Sequence, residues 1–169
     1  DTGHIKTVQL ADEEAFVVPV TVHGRTVQAM IDTGASVNVI SGTLARALEL
    51  AATERTTPKL LSLGDGTIVT ADKEVKELVL QLGDLLIPAD FIVMPGAGYE
   101  MLLGRTFLRK TGADPNFRTN LLTLHWLGAT RALRAERGYK MRWMAESYKL
   151  QAEQLATIDT VEVAQCHSE

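Results

Sequence analysis

The sequence has a single cysteine, Cys166, among its last four residues. One thiol excludes an internal disulfide framework and a cysteine-built metal site, and it fits a reducing compartment. The histidines, His4, His23, His125 and His167, show no ligand spacing, so no metal or other cofactor is expected. No stretch approaches the ~20 apolar residues that a membrane-spanning helix needs, and no signal-peptide pattern is present, so no membrane partner is expected. Nor is there an excess of positive charge: 17 Lys and Arg against 21 Asp and Glu give a net charge of -4, which argues against a general nucleic-acid binder. The chain opens on Asp1 rather than methionine, the expectation for a processed product or a piece excised from something longer. With 46% hydrophobic and 22% charged residues in 169, the composition is that of a soluble globular protein, long enough for one domain with a core plus an extension.

What is present is organised around Met30–Ile40. Apolar Ala29–Ile31 and Val37–Ile40 bracket the polar Asp32-Thr33-Gly34-Ala35-Ser36, a pattern for a buried strand that ends in a tight turn and re-enters the core. Such a turn presents one carboxylate, that of Asp32, from inside the protein, and Gly34 permits a close backbone approach. The same three letters recur at Asp1-Thr2-Gly3, without an apolar run on either side, as expected of a frayed terminus. Only one loop of this kind is therefore credible in the chain.

Upstream, Phe16, Val18, Val20 and Val22 alternate with less apolar neighbours, His23-Gly24 is a turn signal, and Val27, Ala29 and Ile31 alternate beyond it. This predicts a hairpin that delivers Asp32 at its end, with Pro19 marking a strand edge. Downstream, Ser41 can cap a short helix whose apolar face is Leu44, Ala47 and Leu48. Lys59–Leu63 and Thr67–Thr70 are strand candidates joined through Gly64-Asp65-Gly66, a hairpin signal. Further strands are expected at Leu78–Leu82, Leu85–Ile87, Phe91–Met94, Met101–Leu103 and Leu121–Trp126, with a helix over Arg105–Thr111 stopped by Gly112 and Pro115. Regular short strands with glycine-rich turns argue for an all-β, barrel-like domain.

From Gly128 the composition changes. Six cations against two glutamates give residues 128–150 a formal charge of +4 and leave -8 for the rest. Met141, Met144, Tyr148, Ala152 and Leu155 fall at helical spacing, although Tyr139, Met141 and Trp143 also alternate as in a strand. Ile158–Val163 could form a final short strand. The expected organisation is a tail over 1–14, a domain over 15–127 and a basic, helical extension over 128–169 ending in a loose tail.

Ile31-Asp32-Thr33-Gly34-Ala35-Ser36 resembles the catalytic loop of the retropepsin-like aspartic proteases of retroviruses and LTR retrotransposons. Tyr99-Glu100-Met101-Leu102-Leu103-Gly104-Arg105-Thr106-Phe107-Leu108 resembles their second signature, an apolar strand running into Gly-Arg and a short helix. Two motifs in order and at fitting separation are far more specific than either alone, and the resemblance spans Phe16 to Trp126.

It implies an acid-protease barrel with one lobe per chain, short helices, and a homodimer in which two Asp32 carboxylates meet across a twofold axis. By the same resemblance Thr33 bonds across to the partner loop, Gly34 contacts the substrate backbone, and the Gly64-Asp65-Gly66 hairpin is a flap that closes over a polypeptide substrate. Ala35, Val37, Ile68, Tyr99 and Leu102 would line the substrate site, and Gly104 and Arg105 would be structural. Retroviral members often place an acidic residue where this chain has Ser36, so Arg105 must find another partner: Asp90, Asp114 or backbone carbonyls. The implied activity is a retroelement endopeptidase that processes its own polyprotein, in the cytoplasm within a retroelement or virus-like particle. The competing expectation is a non-proteolytic dimerisation or interaction module of the same fold, whose basic C-terminal segment contacts nucleic acid or a polymerase domain.

Overall fold

The computed structural model describes residues 16–62, 68–95, 100–136 and 162–165. Strands β1 (Val17–Val22) and β2 (Arg25–Ile31) form the expected hairpin, Val17 opposite Met30 and Val22 opposite Arg25. His23 and Gly24 both take positive φ, 49° and 78°, the backbone that matches a two-residue turn to the twist of its strands. After the Asp32 loop come β3 (Val39–Ser41) and helix α1 (Gly42–Ala47). Ser41 Oγ accepts the Leu44 N–H at 3.0 Å, the predicted cap. The buried face of α1 is Leu44, Ala45 and Leu48; Ala47, expected on that face, is exposed.

Strands β4 (Thr53–Ser62), β5 (Ile68–Leu82) and β6 (Leu85–Met94) are longer than their apolar patterns suggested. Of the expected separate strands at Thr67–Thr70 and Leu78–Leu82, the second and the described part of the first, from Ile68, are the two ends of β5. Its register slips between Val75 and Leu78, where Glu77 takes φ 53° and its N–H is received by Asp90 Oδ1 at 2.7 Å. That bulge interrupts the alternation that would have shown one continuous strand. Leu85–Ile87 and Phe91–Met94 likewise belong to one strand, through Pro88. The neighbour β3 covers only Ile92–Met94, so at Pro88 β6 is an edge on that side, where a residue without an N–H is tolerated.

Strand β7 (Met101–Leu103) inserts between β2 and β3, parallel to the first and antiparallel to the second. Helix α2 (Arg105–Lys110) follows, then β8 (Asp114–Asn116), β9 (Leu121–Trp126), β10 (Ala129–Arg134) and β11 (Glu162–Gln165). The main sheet runs β1-β2-β7-β3-β6-β5-β4-β11. Thr21 of β1 also pairs with Gln81 of β5, which closes β1-β2-β7-β3-β6-β5 into a six-stranded barrel. Inward residues such as Val18, Val20, Ile31, Ile40, Leu80, Leu82, Ile87, Phe91, Leu103 and Phe107 fill its core. The molecule is mostly β with two short helices among its described residues, in accord with the expected all-β barrel.

Strands β8, β9 and β10 make a second, three-stranded sheet. The start of the basic segment is therefore a strand: Ala129–Arg134 pairs antiparallel with Leu121–Trp126, and the expected boundary at 127/128 falls in their turn, where Leu127 and Gly128 take positive φ. Cross-strand bonding to β9 decides these residues, whereas the helical spacing of Met141 to Leu155 lies outside the described residues. The final strand pairs at Glu162–Gln165, overlapping the expected Ile158–Val163 only in part.

Candidate active site

The site is built where β7 passes between β2 and β3. The β2–β7 ladder continues one step past β2, with the Asp32 N–H donating to Leu103 O at 3.0 Å. The chain then turns on itself: Asp32 Oδ1 accepts the Gly34 N–H at 2.9 Å and Asp32 O accepts the Ala35 N–H at 3.2 Å. Aspartate favours such a turn because its short side chain can mimic a backbone acceptor. As a result Asp32 is 5% exposed, while its neighbour Thr33 stands exposed at the tip and Gly34 is half-buried.

The loop is held from the other side by the corner after β7. The Arg105 N–H donates to Ala35 O at 2.8 Å, and the Gly104 N–H donates to Asn38 Oδ1 at 2.9 Å. Asn38 Nδ2 in turn donates to Asp90 O at 3.1 Å, and its own carbonyl accepts the Ile92 N–H. Gly104 has no room for a side chain: a Cβ there would lie 2.8 Å from Ala35 O and closer still to Val37 O. The glycine of the second motif is thus required by backbone packing against the first.

Two residues of this framework carry no emphasis in the sequence. Asn38 is 4% exposed within the apolar run Val37–Ile40, and a polar residue that interrupts a β-branched run is the signal that would have found it, because burial demands partners. Glu100 is the other. Its carboxylate accepts the Gln28 N–H, and its carbonyl accepts the Ser41 N–H at 3.1 Å, so it stitches β2 to β3 across the start of β7.

Among the expected substrate-site residues, Ala35 is fully buried below the turn and Leu102 is 3% exposed, in register with Met30 and Val39. Val37 is half-buried and lines a cavity of about 540 Å³ together with Asn38, Asp90, Phe91 and Thr106. Ile68 is half-buried at the start of β5, opposite Ser62. Gly64, Asp65, Gly66 and Tyr99 lie outside the described residues.

Arg105 is exposed, and among the described residues its guanidinium pairs with neither Asp90 nor Asp114. The Asp90 carboxylate is taken by the Glu77 bulge, with Lys76 Nζ 3.9 Å from its other oxygen. It is the backbone of Arg105, not its side chain, that secures the catalytic-type loop. No cluster of three His, Cys, Asp or Glu that could hold a metal occurs among the described residues, and no helix there is long and apolar enough to cross a membrane.

A buried aspartate in an Asp-Thr-Gly turn, locked to a Gly-Arg corner by main-chain bonds, is a protease-type arrangement, and residues 18–110 match the family described as gag-polyprotein putative aspartyl protease. The chain belongs to that family. Its retropepsin-like fold is shared with the retroviral protease-like domain of Ddi1 from Leishmania major, which superposes with a TM-score of 0.61 over 75% of this chain and 97% of that domain. At 17% identity that likeness is one of fold. The UBA domain-containing protein Mud1 of Schizosaccharomyces pombe is 31% identical over 108 residues, 64% of this chain and 32% of Mud1. The chain thus spans about a third of the length of that relative.

Proposed function

We propose that this retropepsin-like chain is a homodimeric aspartic endopeptidase whose catalytic pair is Asp32 and its symmetry mate. The observation that carries the reading is the loop itself. Among the described residues one chain supplies one buried carboxylate, held by hydrogen bonds to the main chain of Leu103 and Gly34, with an exposed Thr33 beside it. A single carboxylate is a poor catalyst of peptide hydrolysis, and a twofold axis at the loop tip is the economical source of a second.

Two close carboxylates resist double ionisation, as in aspartic proteases generally, so the pair holds one proton between them. The ionised member takes a proton from a water held between the pair, and the water oxygen bonds to the scissile carbonyl carbon. The protonated member donates to the carbonyl oxygen as charge builds there. As the C–N bond breaks, the first carboxyl passes the proton it took from water to the departing amine, and one hydroxyl of the intermediate returns its proton to the second carboxylate as the C=O of the free acid forms, so the pair again shares one proton. By the family resemblance Leu102, in register with Val39, and Ile68, on the arm opposite Ser62, contribute to side-chain pockets, which favours apolar residues beside the scissile bond. We assign the enzyme to processing of a retroelement polyprotein that includes its own release, in the cytoplasm within a retroelement or virus-like particle.

The test is hydrolysis of a pooled peptide library at pH 4 to 7 over a range of enzyme concentrations, parent against Asp32→Ala. Activity that rises faster than linearly with enzyme and vanishes in the variant supports a shared pair. A variant as fast as the parent overturns it. A dimer that cleaves nothing would favour the second reading, an interaction module of the same fold, to which the match with part of a UBA domain-containing protein lends support.

A further inference from the structure

The hairpin arm formed by Lys59–Ser62 and Ile68–Ala71 extends beyond the barrel, since β6 joins β5 only from Lys73 onward. On its inner side β4 is paired with β5. Its outer edge would present a row of unpaired N–H and C=O groups, a template on which an extended chain can add as a further strand. That edge is occupied by the protein itself: Glu162–Gln165 runs parallel to β4, with Glu162 opposite Lys59, Val163 opposite Leu60, Ala164 opposite Leu61 and Gln165 opposite Ser62. Among the described residues the pairing is four residues long, and it is parallel, the less stable of the two ladder types, so it can be exchanged for another extended segment.

We propose that the outer edge of β4 is a binding site for an extended polypeptide and that residues 162–165 are its built-in occupant, competing with incoming peptide. The inference rests on the protease reading for the identity of that peptide as substrate, because the arm in question is the one that resemblance assigns to closing over it. The backbone register alone defines the site, and backbone bonding makes it tolerant of peptide sequence. An occupant tethered in the same chain acts at an effective concentration on the order of millimolar, so external peptide binds with an apparent affinity reduced by the fraction of open edge. The C-terminal strand then holds the enzyme in a restrained state, relieved when a better strand displaces it or the tail is cut away.

The experiment uses the full chain and two variants, Val163→Pro and Ala164→Pro. Alternate N–H groups of a strand face the partner, so one of these two prolines removes a ladder donor. Three readouts are taken: hydrogen exchange at Leu60–Ser62, fluorescence anisotropy of a labelled synthetic peptide of residues 158–165, and library hydrolysis. The expected result is lost protection at Leu60–Ser62 in at least one variant, with peptide bound about 10-fold more tightly by it than by the parent. Added peptide should restore the protection. Unchanged protection in both variants, or equal peptide affinity in parent and variants, overturns the proposal. Tight peptide binding by a variant that hydrolyses nothing would uphold the strand site while overturning the protease reading.

Discussion

Asn38 and Gly104, 66 positions apart in the chain, are joined by a hydrogen bond of 2.9 Å from the glycine N–H to the asparagine Oδ1. Through it the loop after β2 and the corner after β7 become one unit, anchored to β6 because Asn38 also donates to Asp90 O. Asn38→Ala strands a buried N–H at Gly104 and a carbonyl at Asp90. Its expected cost is about 2–4 kcal/mol of stability, read from urea unfolding. A loss of hydrolysis larger than the unfolded fraction explains would show that this bond also sets the position of the Asp32 turn.

Gly104→Ala drives a methyl group into the carbonyls of Ala35 and Val37, which are backbone atoms and cannot swing aside. Destabilisation of about 3 kcal/mol is expected, against less than about 0.5 kcal/mol for Thr106→Ala on the exposed side of α2. Equal unfolding midpoints for the two variants would refute the packing argument.

Asp32→Asn preserves the shape of the turn, since an amide oxygen can accept the Gly34 N–H as Oδ1 does. Fold and dimerisation should survive, as judged by circular dichroism and sedimentation, while peptide hydrolysis falls by ~10³-fold or more because the shared proton is lost. A variant that retains activity would place the chemistry elsewhere.

The turn between β5 and β6 is tied to β10 by a two-pronged ion pair, Arg131 Nε to Asp84 Oδ1 at 2.7 Å and Nη2 to Oδ2 at 3.0 Å. The Arg131 hydrogen bonds hold the Asp84 carboxyl below its usual value of 3.8 and raise the guanidinium. A depressed carboxylate stabilises the fold above its unfolded pKa, and that contribution disappears as pH falls through the folded value. Carbon-13 detected titration should therefore find Asp84 with a low midpoint in the parent and a midpoint returned toward 3.8 in Arg131→Ala. Because both side chains are exposed, high salt should produce part of the same rise.

Much of the site was legible because it is local. Asp32, Gly34 and the apolar runs beside them dictate a strand, a turn and a return within about ten residues, and Ser41 caps α1 by the same short-range chemistry. Less was legible where a distant strand overrides local pattern. The Glu77 bulge disguised one long strand as two, pairing with β9 drew the first basic residues of the C-terminal segment into a strand, and Asp90 was spent on a main-chain N–H instead of on Arg105.

By itself the sequence determined the identity of the buried carboxylate, the turn that presents it and the alternation that makes a barrel, since these depend on residue type and near neighbours. Tertiary structure alone decided that β7 lies between β2 and β3, that Gly104 must be bare where it meets Val37, and that Glu162–Gln165 closes the edge of β4. Those relations join residues tens of positions apart, and main-chain hydrogen bonds, which every residue type but proline can donate, leave little trace of their partners in the side chains.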